Sequence, residues 1–268
     1  MAKTVLQTTK LTWQVTDKTI IDAIDFALYQ GQTVAIVGPN GAGKTSLLKC
    51  LNGQSPNYSG EITLNARPLH TINNKEIAKQ IAVVSQHNQS TFNLSVIDIV
   101  RMGLIPHKNL FDGDTQSDLE KIQQALNKVD LLNKQHQVFN TLSGGEQQRV
   151  LIAQAIVQAA NILIMDEPTN HLDIYYQHQI LNLVKSLNIT LLITIHDLNL
   201  AAEYCDRIVL MDKGLVVADD TPEKVLTAEN LKKVFNLDCA IDENPFTNKP
   251  RITFANNISS HQEICNET

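Results

Sequence analysis

Long apolar runs are missing from this sequence of 268 residues. None nears the ~18 consecutive apolar residues that a membrane-spanning helix needs. The opening stretch MAKTVLQTTK lacks the apolar centre of a secretory signal. Any tie to a membrane is therefore expected to run through a partner chain. Cysteine is sparse: Cys50, Cys205, Cys239 and Cys265 are scattered, with no C-x-x-C pair. That excludes a disulfide scaffold and a zinc site, and suits a reducing compartment. An excess of positive charge is also lacking, with 22 Lys and Arg against 28 Asp and Glu. A net charge of −6 argues against a broad nucleic-acid-binding surface, so no nucleic-acid partner is expected. Internal repeats and low-complexity tracts are absent. What remains is 43% hydrophobic and 19% charged, the balance of a globular chain that buries a full core.

Four short apolar runs stand out: VAIV (34–37), IAVV (81–84), ILIM (162–165) and LLITI (191–195). Their length and continuity predict buried parallel strands. Each ends in something polar or glycine-rich: Gly38 onward, Ser85-Gln86, Asp166-Glu167 and His196-Asp197. In open α/β sheets the ligand crevice lies outside the carboxyl ends of the strands. Four polar strand ends are therefore expected at one crevice.

Other segments differ. KLTWQV, IDAIDFALYQG and GEITLNARPL alternate like antiparallel strands. SVIDIVRMGL (95–104) and SDLEKIQQALNKVDLL (117–132) have helical spacing, with the loop FDGDTQ between them. They predict a helical subdomain, about residues 88–150, inserted in an α/β core. RIVLMDKGLVVADD (207–220) predicts a hairpin turning at Asp212-Lys213-Gly214. From about Asn236 the chain is polar and Asn-rich, which predicts a short accessory tail.

GPNGAGKT carries the first chemistry. Gly38, Pro39, Asn40, Gly41, Ala42, Gly43, Lys44 and Thr45 match G-x-x-x-x-G-K-[ST], with Ser46 opening the helical stretch behind them. The motif follows a predicted strand and precedes a predicted helix, as a phosphate loop requires. Backbone N–H groups cradle phosphates, Lys44 reaches the terminal ones, and the Thr45 hydroxyl suits Mg²⁺. The expected ligand is a nucleoside triphosphate.

ILIMDEP supplies the second half. Asp166 at a strand end can hold Mg²⁺ through water. Glu167 beside it is the expected base for a water attacking the γ-phosphate. Pro168 cannot continue the strand and forces a turn. His196, at the end of another strand, is expected to sense the γ-phosphate. Gln86, by the same geometry, is placed to orient water or Mg²⁺.

TLSGGEQQRV (141–150) sets two glycines at the start of an apolar helix. Ser143 and Glu146 stand three apart, the spacing of a capping box. Gly144 and Gly145 then fall in the first turn, whose N–H groups have no helical partners. Lacking Cβ atoms, they are expected to let an anion approach.

GPNGAGKT, Gln86, LSGGEQ, ILIMDE, TNHLD and His196 occur in the order found in ABC-transporter ATPase subunits, and the chain resembles that family over about residues 5–235. The resemblance implies an ATP-binding P-loop core with an antiparallel β subdomain and a helical subdomain, and ATP and Mg²⁺ as cofactors. It implies a head-to-tail dimer in which the signature helix of one copy caps the ATP of the other. Ser143, Gly144 and Gly145 would then touch the γ-phosphate in trans, and Asp173 would cross the interface. In this family an early aromatic residue stacks on adenine. Here the aligned position is Val15, and Trp13 stands two residues earlier, so either Trp13 or Val15 is expected to contact the base.

A single cassette without membrane spans resembles importers whose permease is a separate chain. TLSGGEQQRVLIAQAI, DEPTNHLDIYYQ, HDLNLAAEYCDRIVLMDKG and TPEKVLTAENLKKVF resemble the group importing ferric siderophores, haem and cobalamin, in that order of fit. The implied setting is the cytoplasmic face of the inner membrane, held by the permease, with a periplasmic binding protein acting indirectly. The rival reading is a soluble ABC ATPase, as in cluster assembly.

Overall fold

The computed structural model describes residues 3–55, 57–85, 93–109 and 112–255. In chain order the strands are β1 (Thr4–Val15), β2 (Lys18–Tyr29), β3 (Thr33–Val37), β4 (Tyr58–Leu64), β5 (Arg67–Pro68) and β6 (Ile81–Ser85). They continue with β7 (Ile162–Asp166), β8 (Thr190–Thr194), β9 (Arg207–Asp212), β10 (Leu215–Asp220), β11 (Cys239–Glu243) and β12 (Pro250–Phe254). The helices are α1 (Lys44–Leu51), α2 (Asn74–Ala78), α3 (Val96–Arg101), α4 (Gln116–Lys128) and α5 (Gly144–Gln158). They are followed by α6 (Ile174–Lys185), α7 (Leu198–Tyr204), α8 (Pro222–Val225) and α9 (Ala228–Phe235).

The four apolar runs are β3, β6, β7 and β8, and they lie in one sheet of order β10-β9-β3-β8-β7-β6. Every neighbouring pair from β9 to β6 is parallel; β10 alone runs back along β9. All five residues of β3 and of β8 are buried, because both faces of the sheet are covered. Ala35, Val37, Leu163, Met165 and Ile193 share a core with α3, α4 and α5. Val34, Ile36, Ile162, Ile164 and Leu192 share one with α1 and the antiparallel sheet. Each fully buried Val or Ile contributes roughly 1.5–3 kcal/mol, so this sandwich of helix, sheet and sheet fixes the strand ends firmly. The antiparallel sheet has the order β2-β1-β4-β5. The hairpin turns at Lys213 and Gly214, both at positive φ (47° and 82°), as a two-residue turn with right-handed twist requires.

Two helices of this segment end short of the stretches read from the sequence, α3 at Arg101 and α4 at Lys128. Helix α3 stops at Arg101 and tightens into a 3₁₀ turn over Met102–His107. Pro106 within that turn has no N–H to donate and cannot extend an α-helix. Thr115 and Asp118 cap α4 reciprocally. Helix α5 runs to Gln158 and packs into the core of the parallel sheet.

The expected polar tail contains an unforeseen element. Strands β11 and β12 pair as a hairpin, from Cys239 opposite Phe254 to Glu243 opposite Pro250. The Asn199 side chain docks it on α7. It accepts from the Ile252 N–H at 2.7 Å and donates to the Ile252 carbonyl at 3.2 Å.

Candidate active site

The loop Gly38–Lys44 leaves the buried end of β3 and enters α1. Gly38 sits at φ 150°, and a Cβ there would fall 2.2 Å from the Met211 carbonyl oxygen, so only glycine fits. The hairpin turn braces the loop from the side. The Gly214 N–H donates to the Ala42 carbonyl at 3.0 Å, and the Gly214 carbonyl accepts from the Asp22 N–H at 3.0 Å. Lys44 is buried and donates to the Gly38 and Pro39 carbonyls at 2.8 and 3.1 Å. Burial pulls its pKa down, while the negative charges of Glu167 and Asp166 push it back up. A cleft of about 500 Å³ opens over the loop. Asn40, Gly41, Ala42, Gly43, Lys44, Thr45, Ser46, Glu167, Lys18, Ile20 and Lys213 are among its walls.

Asp166 and Glu167 leave β7 next to the end of β8. The Asp166 carboxylate accepts from the Thr45 hydroxyl at 3.2 Å and from the Thr194 hydroxyl at 2.7 Å, both at Oδ1. Glu167 adopts φ 51°, a left-handed conformation, and Pro168 follows it into the turn. Its Oε1 lies 2.5 Å from His196 Nε2, and its Oε2 accepts from Asn170 Nδ2 at 2.5 Å. A carboxylate only accepts, so His196 Nε2 is the donor. Three sequence-predicted residues, Asp166, Glu167 and His196, thus converge on the phosphate loop. Gln86 lies outside the described residues. Its neighbour Ser85 pairs with Asp166 at the same sheet edge.

The signature segment forms the predicted capping box. Glu146 accepts from the Ser143 N–H at 3.0 Å and its hydroxyl at 3.1 Å, and the Glu146 N–H returns to Ser143 Oγ. Lys134 donates to Glu146 at 2.5 Å. That contact, with the Ser143 N–H behind it, holds the Glu146 carboxyl below its usual range. Ser143 and Gly144 are exposed, and neither lines the cleft of its own chain. Gly145 needs a different account from Gly144. It is buried, and its missing Cβ makes room for the Tyr176 ring of the same chain, which would lie 3.2 Å from that Cβ. Asp173 is exposed and caps α6, accepting from the Tyr176 N–H at 3.1 Å.

Neither Trp13 nor Val15 is among the residues that wall the cleft. Trp13 packs against the core beneath the antiparallel sheet, opposite Ile21 and Tyr58. Val15 is 45% exposed and pairs with Lys18, which is one of the walls. Four contributors escaped sequence reasoning. Asn170 lies within the quoted TNHLD, but nothing in it marks the Glu167 contact. Lys213 reads as an ordinary turn residue, and nothing in the sequence marks Lys18. Thr194 is hidden inside an apolar strand.

The sequence profile described as ABC transporter matches residues 21–170, more than half of the chain. The chain belongs to the ABC transporter family. Among ABC relatives, the iron(3+)-hydroxamate import ATP-binding protein FhuC of Bacillus subtilis (strain 168) is 33% identical over 252 residues. That alignment covers 92% of this chain and 94% of FhuC. The hemin import ATP-binding protein HmuV of Pseudomonas entomophila (strain L48) is 37% identical over 241 residues, covering 87% and 93%. Among solved ABC structures, a metal-chelate type transporter in an inward-facing conformation superposes with a TM-score of 0.82. It is 28% identical, with 94% of this chain and 98% of that one covered.

Proposed function

We propose that this chain is the ATP-hydrolysing subunit of an importer for an iron chelate, a ferric siderophore first and haem second. One observation carries the ATPase reading: the ends of β3 and β7 bring Lys44, Thr45 and Glu167 to one cleft, with Asp166 bonded to Thr45 and His196, from the end of β8, bonded to Glu167. The cargo rests on similarity to the hydroxamate and hemin import proteins, since the cassette itself does not touch what is carried. Among the described residues no helix is long and apolar enough to cross a membrane. A separate permease supplies the path, and this chain sits on its cytoplasmic face. Ile105, 65% exposed in the turn after α3, supports docking on the helical face. Residues 1–235 form the ATPase unit, with about 88–150 as its helical part and the tail from 236 as an accessory. A periplasmic binding protein delivers the cargo from the other side.

ATP lies along Gly38–Ser46, its phosphates on the loop N–H groups and Lys44. Val15 rather than Trp13 meets the adenine. Mg²⁺ fits the donors present: a hydroxyl and a carboxylate, Thr45 and Asp166, already 3.2 Å apart beside the loop. Two hard oxygen donors suit an ion that keeps waters and phosphate oxygens for its other positions. Gln86 completes that group. When bound, the ion neutralises charge on the phosphates. Glu167 takes the proton of the attacking water, and His196 orients Glu167 and reads the γ-phosphate. Ser143 and Gly144 of a second copy close the cleft, with Asp173 at the same interface.

Growth of a strain lacking this chain tests the cargo. Loss of growth on a ferric hydroxamate or on haem as sole iron source, restored by the wild type but not by Lys44→Ala, is expected. Undiminished uptake of both would overturn the importer reading.

A further inference from the structure

We propose that Thr194 is a positioning residue that locks the carboxylate of Asp166 and the backbone turn at Glu167 into one unit. The inference rests on the ATPase reading and deepens it. Thr194 ends β8, one step beyond the pairing of Ile193 with Met165 on β7. It is completely buried in a strand otherwise made of Thr190 and three aliphatic residues. A buried hydroxyl without partners is costly, so its bonds decide why it is there. The Glu167 N–H donates to Thr194 Oγ1 at 2.8 Å. Thr194 Oγ1 lies 2.7 Å from Asp166 Oδ1.

The directions of these bonds follow from the groups. An amide N–H only donates, and a carboxylate only accepts. The single proton of the Thr194 hydroxyl therefore goes to Asp166, and its lone pair takes the Glu167 amide. Thr45 adds a second hydroxyl to the same Oδ1. The other oxygen, Oδ2, takes no hydrogen bond from any described residue. On the Glu167 side, φ of 51° is uncommon for a residue with a side chain. Such a turn persists where the surroundings over-determine it, and the anchored amide does that. One buried atom thus sets both the Mg²⁺-side carboxylate and the base.

Valine keeps the branched shape of threonine and removes both bonds. Serine keeps the hydroxyl and removes the methyl. Purified full-length wild type, Thr194→Val and Thr194→Ser are compared by ATPase kinetics over a range of Mg²⁺ concentrations, by ATP binding with Mg²⁺ and with EDTA, and by thermal unfolding. For Thr194→Val, kcat is expected to fall about 10- to 100-fold, the range a small misplacement of a catalytic group produces. ATP binding in EDTA should be unchanged, the Mg²⁺ requirement for tight binding should rise, and Thr194→Ser should restore both. A valine variant with wild-type kcat and Mg²⁺ requirement overturns the proposal, as does a serine variant no better than valine. Should the valine protein not fold, Thr194→Ala and Thr194→Ser form the test pair, since they differ only in the hydroxyl. Equal rates for that pair overturn the proposal. A wild-type chain that hydrolyses no ATP would instead strike the ATPase reading itself.

Discussion

Glu167 and His196, 29 residues apart in the chain, meet at 2.5 Å across the ends of neighbouring strands, with Asn170 on the other carboxylate oxygen. The base is held from both sides. Removing the ring in His196→Ala leaves one oxygen of Glu167 without its donor while the phosphate loop is untouched. ATP hydrolysis is expected to drop by about 10²–10⁴-fold, the worth of a correctly placed acid–base group. Affinity for ADP, which lacks the γ-phosphate that His196 is proposed to read, should stay at the wild-type value. Single-turnover kinetics beside an ADP titration separates the two; a variant that loses ADP binding instead would assign His196 to the loop's support.

Gly145 is fitted to Tyr176 of its own chain. An alanine there would press its Cβ to 3.2 Å from the ring. Overpacking of this kind costs roughly 1–3 kcal/mol, against a gain of at most ~1 kcal/mol in helix propensity. Gly145→Ala should therefore lower the denaturation midpoint even without nucleotide. In a Tyr176→Ala background the same change should be neutral or stabilising. Additivity of the two changes would show that the ring does not limit residue 145.

Trp13 is a packing residue, partly buried against the core beneath the antiparallel sheet. Trp13→Ala should cost up to about 3 kcal/mol of stability, somewhat below a fully buried aromatic, because its site is only partly closed. ATP affinity should be unaltered at temperatures where the variant is folded. A loss of affinity by roughly the 1–3 kcal/mol of base stacking, with stability intact, would return the base contact to Trp13.

Acid sensitivity should trace to a carboxylate in the helical part. The Thr115 N–H and hydroxyl, then Lys108, pull the Asp118 pKa down to about 2 from 3.8. A folded pKa below the unfolded one adds stability above the unfolded value and loses it as pH falls through the folded one. Asp118→Asn should unfold at a lower temperature than wild type at pH 7. The gap should close between about pH 4 and pH 2, the window those values define. A gap that stays constant over that range would mean that Asp118 acts through shape and not charge.

The parallel sheet could be read in the sequence because each strand is buried on both faces and so is apolar throughout, as in VAIV and ILIM. Their polar ends were legible for the same reason, since Gly38, Asp166-Glu167 and His196 break the runs abruptly. The β11–β12 hairpin was not legible. Its strands are five residues each and mostly exposed, and Asn199, 53 residues away from Ile252, holds it in place. Local pattern carries no trace of such a contact. Thr194 was missed because a threonine inside LLITI reads as an ordinary strand residue. Its role depends on the register of β8 beside β7. Gly145 was legible as a glycine that something must approach, but the approaching group is a tyrosine of the same chain.

In the proposed mechanism Glu167 drives hydrolysis of an ATP held between Lys44 of one copy and the Ser143-Gly144 edge of another. Glu167→Gln keeps the size of the side chain and removes its capacity to take the proton. Gel filtration of this variant with ATP and Mg²⁺, beside its ATPase rate, tests that arrangement. A stable dimer, hydrolysis slowed by about 10²–10⁴-fold, and a return to monomer when Gly144→Arg is added are expected. Gly144 is the better probe, because Ser143 also caps α5. A Glu167→Gln protein that hydrolyses ATP at the wild-type rate, or whose dimer is indifferent to Gly144→Arg, would contradict it.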